Sequence, residues 1–179
     1  MIKMPILIVV GGSGSGKTTV SRLVEENGYR RFEAGQYADV ICRESERSNL
    51  NFFLDVENRL LVAKSIQAQI EKGRDTDIVI SGFRIVEEIK YFKLNHQNVS
   101  VIGVYASEAL CYSRTINREG REKFSTLKEF FFKRECEDYA LGLGEIYSKY
   151  LDFEINNDNN DLNRLREEVR KILKKVERK

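Results

Sequence analysis

A run of five apolar residues, Ile6-Leu7-Ile8-Val9-Val10, breaks into Gly11-Gly12-Ser13-Gly14-Ser15-Gly16-Lys17-Thr18-Thr19. The pattern G-x-x-x-x-G-K-T spans Gly11 to Thr18, behind a strand-like run and ahead of a helix-like one. That is the setting in which it forms a phosphate-binding loop. A polyphosphate is densely negative, so backbone N–H groups must converge on it, and only residues with little or no side chain let them approach. A helix beginning near Lys17 adds the positive end of its dipole. Lys17 can bridge the β- and γ-phosphates, and the Thr18 hydroxyl can sit on Mg²⁺. A flexible Gly/Ser turn needs neither the Lys-Thr pair nor flanking elements. The stretch therefore predicts a nucleoside triphosphate site built from Gly11, Gly12, Ser13, Gly14, Ser15, Gly16, Lys17, Thr18 and Thr19, with ATP and Mg²⁺ as ligands.

The 179 residues, 41% hydrophobic and 32% charged, suit one domain, 1–179, with an adequate core. A formal charge of +2 gives no pull toward nucleic acid or membrane. Cys42, Cys111 and Cys136 form no C-x-x-C, and His96 is the sole histidine, which argues against a zinc cluster. Scattered cysteines read as core thiols of a reducing compartment. No apolar run approaches the ~20 residues of a membrane span. The N-terminus runs directly into a strand rather than a targeting peptide, and the expected location is cytoplasmic. Nothing in the pattern indicates an oligomeric state.

Further strands are predicted at 29–34, 78–80, 99–106 and 152–156. Helices are predicted at 18–27, 36–46, 52–72, 85–94, from Ser107 past Ile116, 126–139 and 161–179. Gly35 is expected to break the second strand, Asn51 to cap the long helix, and Gly142-Leu143-Gly144 to form a turn. His96 reads as exposed, most of the phenylalanines as core, and the basic tail 171–179 as a solvated helix face. Strands alternating with helices give a three-layer α/β fold on a five-stranded parallel sheet, with a short helical lid around 114–134.

Ligands of such sheets bind beyond the strand C-termini, and arginines recur there. Arg43 follows strand two, Arg84 follows strand three, Arg114, Arg118 and Arg121 surround a polar interruption, and Arg134 lies in the next helix. A kinase needs cations to hold its acceptor phosphate and others to close over the transferring phosphoryl group. Guanidinium suits both tasks, being always charged and able to bind two oxygens at once.

The order of elements resembles the nucleoside monophosphate kinase-like group of P-loop kinases, which includes adenylate kinase and dephospho-CoA kinase. Gly82-Phe83-Arg84 is similar to the D-G-F-P-R signature whose arginine grips the acceptor phosphate, and Arg118-Glu119-Gly120-Arg121 resembles a short arginine lid. Ile155-Asn156-Asn157-Asp158 resembles the I-x-N-D segment near the donor adenine, which places Asn157 there. The closest resemblance is to adenylate-kinase-related archaeal proteins. Their D-G-x-R-x-x-x-E-x-x-x-F pattern corresponds to Ser81-Gly82-Phe83-Arg84 with Glu88 and Phe92, and their R-D-x-x-E-x-x-x-G-x-G-E pattern to Arg134-Glu135 with Asp138 and Gly142-Leu143-Gly144-Glu145.

Two departures stand out. Ser81 replaces an acid that helps organise Mg²⁺, so the ion would depend on Thr18 and phosphate oxygens. Glu33 reads either as an acid beside an acceptor hydroxyl or as a solvent-facing strand residue. The resemblance implies an ATP-dependent phosphotransferase for a nucleoside monophosphate or similar small acceptor. Lys17, Arg118 and Arg121 would be its catalytic cations, and Glu33, Arg43, Arg84 and Arg134 its acceptor residues. A dephospho-CoA kinase-like enzyme and a non-kinase ATP-binding or ATP-hydrolysing regulator are the alternatives. Near-neutral charge disfavours a nucleic-acid-dependent NTPase.

Overall fold

The computed structural model describes residues 4–43, 49–73, 76–120 and 126–177, without the side chains at 49, 119, 133–135 and 137–139. Its centre is β1 (Ile6–Val10), buried at every position. β1 pairs in parallel with β3 (Ile78–Ser81) on one side and β4 (Val99–Tyr105) on the other. β2 (Arg30–Glu33) pairs with β3 and β5 (Phe153–Asn156) with β4, giving the order β2-β3-β1-β4-β5.

Strand alternation sorts the side chains into two cores. Leu7, Val9, Val79, Ile102, Val104 and Ile155 face α1 (Lys17–Glu25) and α9 (Leu162–Val176). Ile6, Ile8, Val10, Phe32, Ile80 and Val101 face the opposite layer of α2 (Ala34–Cys42), α4 (Leu61–Glu71), α5 (Val86–Asn95) and α8 (Leu143–Lys149). β1 and β3 are buried at every position, and apart from the terminal Ser81 of β3 they are apolar throughout; β2, at the edge, interrupts its pattern with Arg31 and Glu33. This is the three-layer P-loop arrangement the sequence predicts. A third, small cluster of Cys111, Ile116 and Phe130 joins α6 (Glu108–Glu119) to α7 (Leu127–Leu141). The interruption between these helices, 121–125, holds Arg121 and lies outside the described residues.

Several expectations need correction. The helix predicted over 52–72 is three pieces: α3 (Asn49–Phe53), a 3-10 turn (Val56–Asn58) and α4. Asn58 Nδ2 donates to the Phe52 carbonyl at 3.0 Å, which offers that carbonyl a partner other than the next helical turn. Gly35 lies in the first turn of α2 instead of breaking β2. At 142–144 only Gly142 turns the chain, at φ 99, and α8 starts directly after it. His96 is half-buried, bonded to Gln67 at 2.7 Å and stacked on Phe92, and burial lowers its pKa. Cys42 and Cys111 are buried, but Cys136 is exposed. Phe53 and Phe130 are buried, whereas Phe132 projects from α7. The closing helix agrees with its prediction: Leu165, Val169, Ile172, Leu173 and Val176 are buried, and Lys171, Lys174 and Lys175 are exposed. Among the described residues no helix is long and apolar enough to cross a membrane.

Candidate phosphate-transfer site

All five strands end at one edge of the sheet, and the loop after β1 lies at the middle of that edge. Gly14 (φ 78) and Gly16 (φ 98) take left-handed conformations that other residues avoid. Space forbids a side chain as well: a Cβ on Gly14 would run into the Cys111 backbone, and one on Gly16 into the Asn157 amide. Ser15 N donates to Gly12 O at 3.2 Å and closes the turn. Gly16 caps α1 without a side-chain bond, and Val20 N is bonded back to Gly16 O at 3.0 Å. The N–H groups of Lys17, Thr18 and Thr19 precede the first helical bond, so they form the donor-rich end of the α1 dipole. Lys17 Nζ donates to Gly12 O at 3.3 Å, which keeps the ammonium folded over the loop.

Two side chains from distant segments hold this loop. Arg114, on α6, donates through Nη1 to Gly14 O (3.2 Å) and Ser15 O (3.5 Å). Its Nη2 donates to Asn157 O and Asn160 Oδ1, both at 2.9 Å. Asn157, buried at the end of β5, returns a bond from Nδ2 to Ser15 O at 2.9 Å, and its N–H donates to Tyr105 O. Asn157 thus lies beside the P-loop, with its side-chain amide committed to the loop backbone. Arg114 reads in the sequence as one more cleft cation; its grip on carbonyls 43 to 100 residues away has no local signature. Ser13 Oγ lies 3.4 Å from Thr115 Oγ1 and accepts from Arg118 Nη2 at 3.4 Å, so Arg118 is at the loop's rim.

On the other side of β1, Ser81 ends β3 in register with Val9 and Glu33. Gly82, at φ 94, donates its N–H to Val9 O at 3.0 Å, and Phe83 is fully buried against Phe92. These anchors bring the half-buried Arg84 out at the sheet edge. Glu88 fixes the segment from behind, accepting from Arg84 N (3.3 Å) and Ile85 N (3.2 Å) as it caps α5. Burial pushes the Glu88 carboxyl up to about 8, against the opposing pull of those two N–H groups.

Glu33 is half-buried and accepts from Arg31 Nη1 at 2.9 Å, while Arg31 Nε reaches Glu25 at 3.0 Å. Arg43 is exposed at the far end of α2. Arg134 belongs to α7, and its side chain, like Arg121, is outside the described set. A further arginine escapes the sequence reading. Arg59 donates from Nη1 to Glu87 Oε1 at 2.7 Å, in the first turn of α5.

The donor set fits Mg²⁺ delivered with a nucleotide. Thr18 stands in the first turn of α1, and the Ser81 hydroxyl is buried with no hydrogen-bond partner, as the ligand or water contact of an ion would leave it. Among the described residues no group of three or more His, Cys, Asp or Glu could hold a metal alone. Phosphate oxygens would therefore supply most of the coordination.

No family model matches the chain. A UPF0200 protein of Pyrobaculum aerophilum is 30% identical over 174 residues, covering 94% of this chain and 96% of the relative. The chain belongs to the UPF0200 family. A UPF0200 protein of Methanothermobacter thermautotrophicus is 24% identical over 184 residues, covering 99% and 94%. Three solved structures share the fold. Shikimate kinase from Acinetobacter baumannii has a TM-score of 0.58 at 19% identity over 97% of this chain and 93% of that one. A sugar kinase from Janibacter reaches 0.63 at 17% over 96% and 95%. A gluconokinase from Sinorhizobium meliloti reaches 0.59 at 19% over 97% and 92%. At such identities the likeness is one of architecture, that of small-molecule P-loop kinases.

Proposed function

We propose that this UPF0200 protein is a single-domain kinase that transfers the γ-phosphoryl group of ATP to a small phosphate-bearing acceptor, a nucleoside monophosphate first among them. The observation that carries the reading is the pairing of two anion-facing features at one sheet edge. One is the loop at the start of α1; the other is Arg84, set on the adjacent strand by Gly82, Phe83 and Glu88. A protein that only binds ATP has no need of the second.

In this reading the N–H groups of Gly11 to Thr19 cradle the donor phosphates. Lys17 swings from Gly12 O onto the β- and γ-oxygens, and Asn157 with Arg114 keeps the loop open to receive them. Arg118 and Arg121 close over the transferring group, whose charge is spread across its equatorial oxygens. Arg84 and Arg134 hold the acceptor in line. Thr18, in the first turn of α1, would help hold Mg²⁺ delivered with ATP, and the ion would supply charge neutralisation to the phosphates. A phosphate acceptor needs positioning and no base, which fits a Glu33 already ion-paired with Arg31. Free cysteines, including the exposed Cys136, suit a reducing cytoplasm.

Ser81 supports a second reading. With no charge where relatives of the kinase group carry an acid, the metal is held less firmly, as in an ATP-dependent regulator. Arg84→Gln separates the two. A kinase variant should show an acceptor KM raised by about tenfold or more, the worth of a charge-assisted hydrogen bond, with ATP affinity within about twofold of the parent. A regulator should show no acceptor-dependent turnover before or after the change.

A further inference from the structure

β2 ends the sheet on one side and β5 on the other, so each strand has an edge without a neighbour. The two edges differ. On β2, Arg31 is tied within the chain to Glu33 at 2.9 Å and to Glu25 at 3.0 Å. Along β5 runs an open groove of about 760 Å³, lined by Tyr105, Glu154 and Asn156 from the strands and by Glu168, Lys171 and Ile172 from α9.

The backbone of this edge is set to pair. Asn157 N donates to Tyr105 O at 2.8 Å, and Asn156 stands in register with Tyr105. In a parallel ladder, a residue that turns its N–H and C=O to one neighbour is followed by one that turns both away. Ile155 and Asn157 therefore face β4, while Glu154 and Asn156 hold their main-chain donors and acceptors to the open side. Such a row is a template for a further strand.

The side chains select the strand. Phe153 and Ile155 pack with α9, so Glu154 and Asn156 lie on the other face, where both are exposed. Asn156 Oδ1 accepts from Asp158 N at 3.0 Å, which leaves Nδ2 as a donor. Glu154 and the exposed Lys171 border the same groove, and neither has an ion-pair partner among the described residues. Glu168 meets Arg164 through one oxygen, Oε1, at 3.3 Å. Acceptor and donor thus flank Ile155 on the strand, and carboxylate and ammonium lie one helical turn apart on α9. Reversing the direction of the segment exchanges the members of each pair. The edge is complementary to itself under a two-fold rotation.

We infer that a second copy of this chain docks here, β5 against β5 antiparallel, about a two-fold axis at Ile155. Glu154 then stands opposite the partner's Asn156, main chain bonded to main chain and carboxylate to Nδ2. The same axis sets Lys171 against the partner's Glu168, because all four residues border one groove. A slip of one residue would turn outward-facing groups against inward-facing ones, so the register is fixed. Asn157 stays turned inward on Ser15 O, and the nucleotide loop is left as it is.

Sedimentation velocity of the full chain without nucleotide tests this, independently of the kinase reading. The parent should sediment as a dimer. Lys171→Glu places like charges across the axis twice and should raise the dissociation constant by about tenfold or more, as should Glu168→Lys. Combining the two changes reverses each pair and should return the constant to within about threefold of the parent. Glu154→Pro removes only an outward N–H, so it should separate the copies while far-UV dichroism stays that of the parent. A monomeric parent, a dimer indifferent to Lys171→Glu or Glu154→Pro, or a double variant as weak as the single ones would overturn the proposal.

Discussion

Glu88 shows how a single side chain can tie stability to the site. Its carboxyl is fully buried, accepts two backbone N–H groups around Arg84, and has its pKa pushed from 4.5 to about 8, by burial first and the neighbouring Glu87 second. A folded-state pKa above the unfolded value means the native protein holds this proton more tightly. Its contribution to stability is therefore full below pH 4.5 and declines as the pH rises through about 8. Glu88→Gln keeps an acceptor for both N–H groups and removes the titration. Urea unfolding across this range should show a shallower pH slope for the variant, with the variant more stable than the parent at pH 9; parallel slopes would contradict the account. Gly14 is the opposite kind of residue, defined by what it lacks. Gly14→Ala adds a methyl group against the Cys111 backbone at φ 78 and should distort the loop. Its ATP affinity, read by titration, is expected to fall by about tenfold or more.

Between elements, the decisive contact is the Arg114 guanidinium, which ties α6 to the P-loop and to the turn after β5. Arg114→Lys supplies one point charge where a planar fork meets several carbonyls. ATP binding should weaken by about tenfold or more in Arg114→Lys, while far-UV dichroism stays that of the parent; unchanged affinity would show the strut to be dispensable. Gly142 sets the junction of α7 and α8 at φ 99, with Val86 Cγ2 3.0 Å from where a Cβ would stand. Gly142→Ala should cost about 1–3 kcal/mol in urea unfolding. These elements also mark where sequence reading stops. β1 and its loop were legible because the motif is contiguous and each residue type answers to local chemistry. Arg114 and Arg59 were not, because their roles depend on partners brought near by the sheet. The break at Val56–Asn58 was hidden for a different reason: apolar spacing continues through it, and the competing Asn58 bond carries no periodic signal.

At the scale of the molecule, one parallel sheet carries a core on each face, and β1 contributes to both. Neither core can open without exposing that strand, so urea unfolding followed by dichroism and by tyrosine fluorescence should give a single coincident transition; two separated transitions would divide 1–179 into more than one unit. Apolar runs alternating with helical stretches made the three-layer architecture on a five-stranded parallel sheet readable from the sequence, whereas the strand order β2-β3-β1-β4-β5 carries no local signal. On the proposed acceptor side only Gly82-Phe83-Arg84 carries a motif in the sequence. The central claim is phosphoryl transfer, and the most direct measurement offers purified protein ATP, Mg²⁺ and each nucleoside monophosphate, deoxynucleoside monophosphate or dephospho-CoA in turn, with Lys17→Ala alongside. The account predicts ADP formation that depends on one class of acceptor and disappears in Lys17→Ala. ADP formed at the same rate whatever the acceptor, or ATP bound tightly with no turnover on any of them, would contradict it.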